Sequence, residues 1–330
     1  FNFSDRPACQ NAFKTFFVHR VGDVSFLFGI FLTYKYFGTL EFADLFKAAA
    51  EQPQMISFFS GNFEISAVTA ISLLIFVGAM AKSAQFPLHV WLPDTMDSPT
   101  PVSALMHAGI INAGGFLLNR LAPFYVLSPN TLHIVFMIGL LTVLMGASMM
   151  LAQNDIKKTL GFSTMAQMGY MIMECGLGAF ALAIFHLIAH GLFKATLFLG
   201  AGKGIHAARE EPKLPESNSH APTSSLSQLS FFTGLTLTLI MPLIILMVAH
   251  GVLNIHLQDA HGAVILLFFA WVTASQVMFS LFRLQDVASW KVAGTMIVAL
   301  FFIGFIYLWA AEVFTHFLYP EAGVADGFFM

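Results

Sequence analysis

Residues 130–152 read Asn130-Thr131-Leu132-His133-Ile134-Val135-Phe136-Met137-Ile138-Gly139-Leu140-Leu141-Thr142-Val143-Leu144-Met145-Gly146-Ala147-Ser148-Met149-Met150-Leu151-Ala152, without one Asp, Glu, Lys or Arg. A helix of that length spans about 35 Å, enough for a hydrocarbon core of about 30 Å. The run is continuous, whereas a barrel strand would alternate over about ten residues. Working outward, eight more apolar runs stand between turn residues: 13–37, 64–85, 101–121, 156–177, 180–202, 229–250, 262–283 and 292–317. The whole chain of 330 residues is 57% hydrophobic and 10% charged, with a mean hydropathy of +0.77. Ordinary soluble domains are about a quarter charged, so a soluble class is excluded. We read the fold as all-α, a polytopic transmembrane helix bundle of about nine spans.

The charges test that count. If the first span starts on side A, the side-A loops and helix ends carry Arg6, Lys14, Lys157, Lys158, Lys203, Arg209, Lys213, Arg283 and Lys291. Side B carries Lys35, Lys47 and Arg120. This bias makes side A cytoplasmic by the positive-inside rule. The N-terminal residues are therefore expected in the cytoplasm of a bacterial cell, below its inner membrane, and Met330 on the opposite side. With 15 Lys and Arg against 18 Asp and Glu, the chain has no basic patch for nucleic acid. Cys9 and Cys175 match no metal or disulfide spacing. The chain opens on Phe1, with a loop-like Phe1-Asn2-Phe3-Ser4-Asp5-Arg6-Pro7, and we expect further helices upstream.

Two stretches look extramembranous. Residues 38–63 mix Glu41, Asp44, Lys47 and Glu51 with Pro53 and Gly61, which suits a short excursion on side B. Residues 203–228 pass from Arg209-Glu210-Glu211-Pro212-Lys213 into a Ser/Pro-rich tail, a composition too polar to fold alone. The expected organisation is a core over 1–203, a polar cytoplasmic linker over 204–228 and C-terminal transmembrane helices over 229–330.

Charges inside a span are costly and face the bundle interior or water. Three basic residues fall inside spans: Arg20, Lys82 and Lys194. Lys82 precedes Ser83-Ala84-Gln85-Phe86-Pro87, and a proline interrupts a helix by removing a backbone donor. We expect a broken helix at Lys82–Pro87, with freed carbonyls and water gathered beside Lys82. The other reading is a lysine that snorkels from a helix end to the interface. His186, His190 and Lys194 recur every four residues, so they run about 12 Å along one helix face. Histidine titrates near neutrality, so the row suits proton transfer through intervening water. Two satisfied core histidines are the plainer alternative. The same spacing suits a metal-binding helix, but no Glu follows His186 as a metalloprotease motif requires. His107 acquires interest by sharing a bundle with Lys82 and Lys194. Arg20 and Asp23 stand at i,i+3 and can pair, as a structural ion pair or as a gate. Asp155 suits a helix N-terminus, and Lys157 a cytoplasmic anchor. Glu174, Glu312 and His316 are weaker candidates near helix ends.

Residues 13–203 closely resemble the antiporter-like core shared by the largest proton-pumping subunit of respiratory complex I, the Mrp cation antiporters and their relatives. The resemblance rests on His19-Arg20-Val21-Gly22-Asp23, Lys82-Ser83-Ala84-Gln85-Phe86-Pro87, Pro99-Thr100-Pro101-Val102-Ser103-Ala104-Leu105-Met106-His107, Asp155-Ile156-Lys157-Lys158 and Phe185-His186-Leu187-Ile188-Ala189-His190-Gly191-Leu192-Phe193-Lys194. It implies that Lys82 is the central proton-transfer lysine, with His107, His186, His190 and Lys194 continuing a hydrated path. Arg20, Asp23, Asp155 and Lys157 would support it. The family's Trp-Glu motif, whose acid pairs with that lysine, normally lies on the preceding helix, so we expect it upstream of Phe1. The Gly-Phe…Lys-Asp motif of a second broken helix is missing from residues 229–330.

That C-terminal end, with Leu105–Leu117 and the turn Glu174-Cys175-Gly176-Leu177-Gly178-Ala179-Phe180, is similar to the DabB branch, the membrane subunits of Dab-type inorganic carbon transporters. The resemblance implies a proton- or sodium-translocating subunit, itself neither an enzyme nor a holder of cofactor or metal. Its partner would be a cytoplasmic zinc protein of DabA type that captures CO2 or bicarbonate, so the zinc would belong to the partner. The alternative is a pumping subunit among the other membrane subunits of a quinone-reducing complex I, or of an Mrp-type antiporter.

Overall fold

Helices form where the apolar runs lie and stop where Gly, Pro and Asn interrupt them. The computed structural model describes residues 4–58 and 63–210, with scattered helical positions between 240 and 317. Two units divide the chain, Phe1–Glu210 and Glu211–Met330. The last three expected spans, most of the linker, Glu312 and His316 lie outside the described residues.

Helix α1 (Arg6–Phe37) opens with Pro7 in its first turn and closes on Gly38, whose positive φ lets its N–H return to the carbonyl of Tyr34. Only Gly22, Gly29 and Thr33 of α1 are buried; Phe13, Phe16, Phe17 and Phe28 stand exposed, as on a helix facing lipid. α2 (Phe42–Glu51) follows, and then the expectation of an all-α chain meets its exception. Strands β1 (Met55–Phe58) and β2 (Phe63–Ser66) pair antiparallel, Ile56 opposite Ile65 and Phe58 opposite Phe63. Aromatic and β-branched residues alternating across Ser60-Gly61-Asn62 are a hairpin signal, and the excursion 38–63 is a helix plus this hairpin. The second span therefore begins at Ala67, where α3 (Ala67–Lys82) starts, rather than at 64.

α3 is buried on nearly every side, which is why it lacks an amphipathic stripe. The expected span 101–121 divides at Gly109 into α4 (Thr100–Ala108), a tight turn over Ile110–Asn112 and α5 (Ala113–Arg120). A short α6 (Ala122–Val126) leads to α7 (Pro129–Leu151), which packs along α8 (Ile156–Gly176). Gly139 allows this approach, since a Cβ there would lie 2.6 Å from the amide nitrogen of Met173. Small residues let membrane helices close in this way. A chain of hydroxyls, Thr69–Ser128–Thr131–Ser72 at 2.8 Å per link, joins α3 to the start of α7. α9 (Phe180–Glu210) continues past the expected end at 202, because Lys203, Ala207, Ala208, Arg209 and Glu210 are strong helix formers although the stretch is polar.

Among the described residues four segments are long and apolar enough to cross a membrane: Arg6–Phe37, Thr100–Arg120, Pro129–Leu151 and Phe180–Ala201. α3 is apolar but shorter, and α8 carries more polar residues.

Candidate functional site

Lys82 is the last residue of α3, and its position follows from how α1 crosses that helix. Gly22 lies on Ala81 so closely that a Cβ at 22 would sit 2.3 Å from the Ala81 Cβ. The residues next to these two, Asp23 and Lys82, therefore meet: Lys82 Nζ is 3.4 Å from Asp23 Oδ1. The other Asp23 oxygen, Oδ2, takes Arg20 Nη2 at 2.6 Å, the i,i+3 pair expected from spacing. One carboxylate thus serves two cations, which stabilises both within a span.

The helix breaks as expected after Lys82, but its freed carbonyls are not left to water. Ser83 N–H bonds the carbonyl of Ala79, Gln85 N–H that of Met80, and the indole of Trp91 donates to Ala81 at 3.0 Å. Ser83 Oγ donates to the carbonyl of Ile111 at 2.6 Å and accepts from Gly114 N–H, so the end of α3 is stitched into the break between α4 and α5. His107 lies one turn before that break.

The segment after the break gathers one end of the bundle. Lys14 Nζ contacts Asp94 Oδ2 at 2.6 Å. Lys157 Nζ donates to the carbonyls of Met96 (3.4 Å) and Ser98 (3.2 Å). Asp155 caps α8 by accepting from Lys158 N–H. Asp155 and Lys157 therefore hold a helix start and the 93–98 turn, apart from the Lys82 pair. The opposite end is gathered around Arg120, which lies over the ring of Phe42, and Asn119, which donates to the carbonyl of Phe180. These ends match the two sides into which the charge count sorts Lys14 and Lys157 against Arg120.

The histidine–lysine row faces α8 and α4. Gly191 permits the crossing of α9 on α4, since a Cβ there would meet the carbonyl of Ala108 at 2.8 Å. His107 is fully buried and stacks on Phe198 of α9 with centroids 4.6 Å apart. Lys194, fully buried, donates to Ser163 Oγ at 2.8 Å and the Leu160 carbonyl at 3.3 Å. His190 is buried with its ring centroid 6.1 Å from that of His186. No described residue hydrogen-bonds either ring nitrogen of His107 or His190. His186 is bonded at both nitrogens: Nδ1 to Glu174 Oε2 at 3.0 Å and Nε2 to Gln167 Oε1 at 2.9 Å.

The structure thus brings together His107, His186, His190 and Lys194, and separately Arg20, Asp23 and Lys82. Sequence reasoning undervalued Glu174 and overlooked Ser163, Gln167 and the Lys82–Asp23 contact. One signal was legible: Ser163, Gln167, Tyr170 and Glu174 recur at i, i+4, i+7 and i+11, a polar stripe along one face of an otherwise apolar helix. Among the described residues no group of three His, Cys, Asp or Glu could hold a metal ion.

Comparison with known proteins adds lineage to this geometry. Residues 1–275 match the family described as NADH:quinone oxidoreductase/Mrp antiporter, transmembrane. The chain is 46% identical over 331 aligned positions to a "Probable inorganic carbon transporter subunit DabB1" of Halothiobacillus neapolitanus, covering 97% of this chain and 57% of that protein. It is 40% identical to a chloroplastic "NAD(P)H-quinone oxidoreductase subunit 5" of Tecoma stans, over 86% of this chain and 38% of that one. The chain therefore spans from over a third to just over half the length of these relatives. Respiratory complex I from Thermus thermophilus contains a chain of the same fold, with a TM-score of 0.55 at 19% identity over 97% of this chain and 68% of that chain.

Proposed function

We propose that this chain, which belongs to the NADH:quinone oxidoreductase/Mrp antiporter transmembrane family, is the proton- or sodium-translocating membrane subunit that energises uptake of CO2 or bicarbonate. It is a multi-pass membrane protein of antiporter-like type, and the finer assignment is ours. The observation that carries ion translocation is the row His186, His190 and Lys194 on α9, in which His190 and Lys194 are buried and His186 is half-buried, within a bundle that also buries His107. Among the described residues no side chain or backbone group hydrogen-bonds the His107 or His190 rings, and buried imidazoles with titratable neighbours are the kind of groups through which a hydrated path would pass protons. A purely structural anchor leaves that row unexplained.

The inorganic-carbon reading is supported by the DabB1 relative, which matches nearly the whole chain. It is supported also by the absence of the Gly-Phe…Lys-Asp motif from residues 229–330. Since the relatives are named as subunits, the chain would act within a heteromeric assembly. We place the soluble zinc-binding partner on the side that the charge bias makes cytoplasmic, in the inner membrane of a bacterium. There it would cover the turn 86–100, which Lys14 and Lys157 tie down. The second reading, a pumping subunit of complex I, is favoured by the subunit 5 relative.

Growth of cells lacking carbonic anhydrase tests the choice. The full-length protein expressed with its genomic neighbour should restore growth in air, and neither alone should. Lys82→Ala and Lys82→Arg should each abolish rescue while the protein still inserts, because a guanidinium holds charge but cannot release a proton. Rescue by the membrane subunit alone, or undiminished rescue by Lys82→Ala, would refute the assignment. A requirement for quinone oxidoreductase subunits would favour the second reading.

A further inference from the structure

Glu174 stands in the last turn of α8, and its surroundings are unusual for a carboxylate near a helix end. Its side chain is 1% exposed and that of His186 is 12% exposed. The turn that follows places them together: Gly178 adopts a positive φ, Ala179 N–H bonds the carbonyl of Glu174, and α9 starts at Phe180 and runs back along α8. Twelve residues after Glu174 the chain brings His186 Nδ1 to 3.0 Å from Oε2.

Proton counting makes this contact informative. His186 Nε2 faces Gln167 Oε1 at 2.9 Å; in this orientation of the amide its oxygen only accepts, so Nε2 carries a proton. Nδ1 then faces a carboxyl oxygen. An ionised carboxylate only accepts, so Nδ1 must also carry a proton; alternatively the imidazole is neutral and Glu174 carries the proton. In both arrangements the pair holds one proton more than a neutral imidazole beside a carboxylate. The two differ by a single transfer, in which the Nδ1–H bond breaks, the Oε2–H bond forms and the pair exchanges imidazolium-carboxylate for two neutral groups.

Resting on the proton-translocation reading above, we propose that Glu174 is a proton-holding group of the path, at the end of the bundle away from the 86–100 turn. Lys194, His190 and His186 follow one another along α9 at successive turns, and Glu174 stands beside the last of them, with Gln167 fixing the imidazole tautomer. Tyr170, whose ring centroid is 5.4 Å from that of His186, closes the pair on the α8 side. The pair is overall neutral in its loaded form, so it holds a proton in a span without adding net charge.

The test uses the full-length protein in its native assembly, reconstituted into vesicles containing a pH-sensitive dye, with infrared difference spectra of the same sample in H2O and D2O. Glu174→Gln keeps an oxygen toward Nδ1 but cannot take a proton; proton flux should fall on the order of a hundredfold, the scale of one positioned proton-transfer group. Glu174→Asp should keep measurable flux. A deuterium-sensitive carboxylic-acid band should be present in the wild type and absent in Glu174→Gln. Wild-type flux in Glu174→Gln, or no band assignable to Glu174, would overturn the proposal. An assembly that shows the band but moves no protons would refute the translocation reading while leaving the proton-holding pair in place.

Discussion

Substituting Gly22 by alanine adds one methyl group to α1 and should disable the protein through geometry alone. The new Cβ would lie 2.3 Å from the Cβ of Ala81. Ordinary carbon–carbon contact begins at about 3.5–4.0 Å, so the two helices must part by roughly 1.2–1.7 Å. Asp23 and Lys82 are the next residues along, and their contact of 3.4 Å would pass the roughly 4 Å limit of an ion pair. Overpacking costs about 1–3 kcal/mol, offset by about 1 kcal/mol gained on replacing glycine by alanine within a helix. The fold should survive, with melting shifted by a few degrees. Ion flux should not survive intact, since a displacement of about 1 Å at a reacting group can cost about a hundredfold. The remaining neighbours of the added carbon lie at 3.5 Å, which is tolerable. Ala81→Gly in the Gly22→Ala background should therefore restore most of the flux. The assay is dye-reported proton flux in vesicles beside thermal unfolding of the same preparations. Undiminished flux in Gly22→Ala, or a double variant as inactive as the single, would refute the reasoning that this crossing sets the Lys82–Asp23 contact.

The remaining predictions concern the histidines. Single His186→Ala and His190→Ala variants should lose part of the flux, because water can bridge one missing ring, whereas the double variant should lose nearly all; a double variant running at the single-variant rate would make both rings merely structural. His89 lies in the turn outside the spans, where burial, aided by Lys14, holds its ring below the ordinary histidine range despite the opposing Pro87 carbonyl. A histidine held neutral in the fold takes up its proton more readily when unfolded, so its contribution is complete above about pH 6.5 and is lost as pH falls below that value. The melting temperature should fall between pH 7.5 and 5 by more in the wild type than in His89→Gln; equal slopes would remove His89 from the account.

Much of this molecule was legible as a one-dimensional pattern. A bilayer selects for long uncharged runs, so α1, α3, α7, α8 and α9 could be placed from hydropathy, and the Lys82–Pro87 break from a single proline, whereas α2, α6 and the division of 101–121 into α4 and α5 could not. His186, His190 and Lys194 lie on one helix, and helical spacing alone sets them on one face. The Arg20–Asp23 pair was readable for the same reason. The hairpin at 55–66 was signalled by alternation, but the reading of 38–63 as a short excursion gave it no secondary structure.

What the sequence left open were relations between helices. Whether Asp23 turns to Arg20 alone or also to Lys82 depends on how closely α1 crosses α3, which Gly22 and Ala81 decide by contact 59 positions apart. Whether Glu174 faces solvent near a helix end or meets His186 depends on the 177–179 turn, which sends α9 back along α8. His107 is drawn to the row because Gly191 lets α9 rest on the backbone of Ala108. The pattern of apolar residues settles which segments enter the membrane, because partition acts on each segment by itself. Which charges then share a proton is settled by close packing, where tenths of an ångström between distant residues determine the partner.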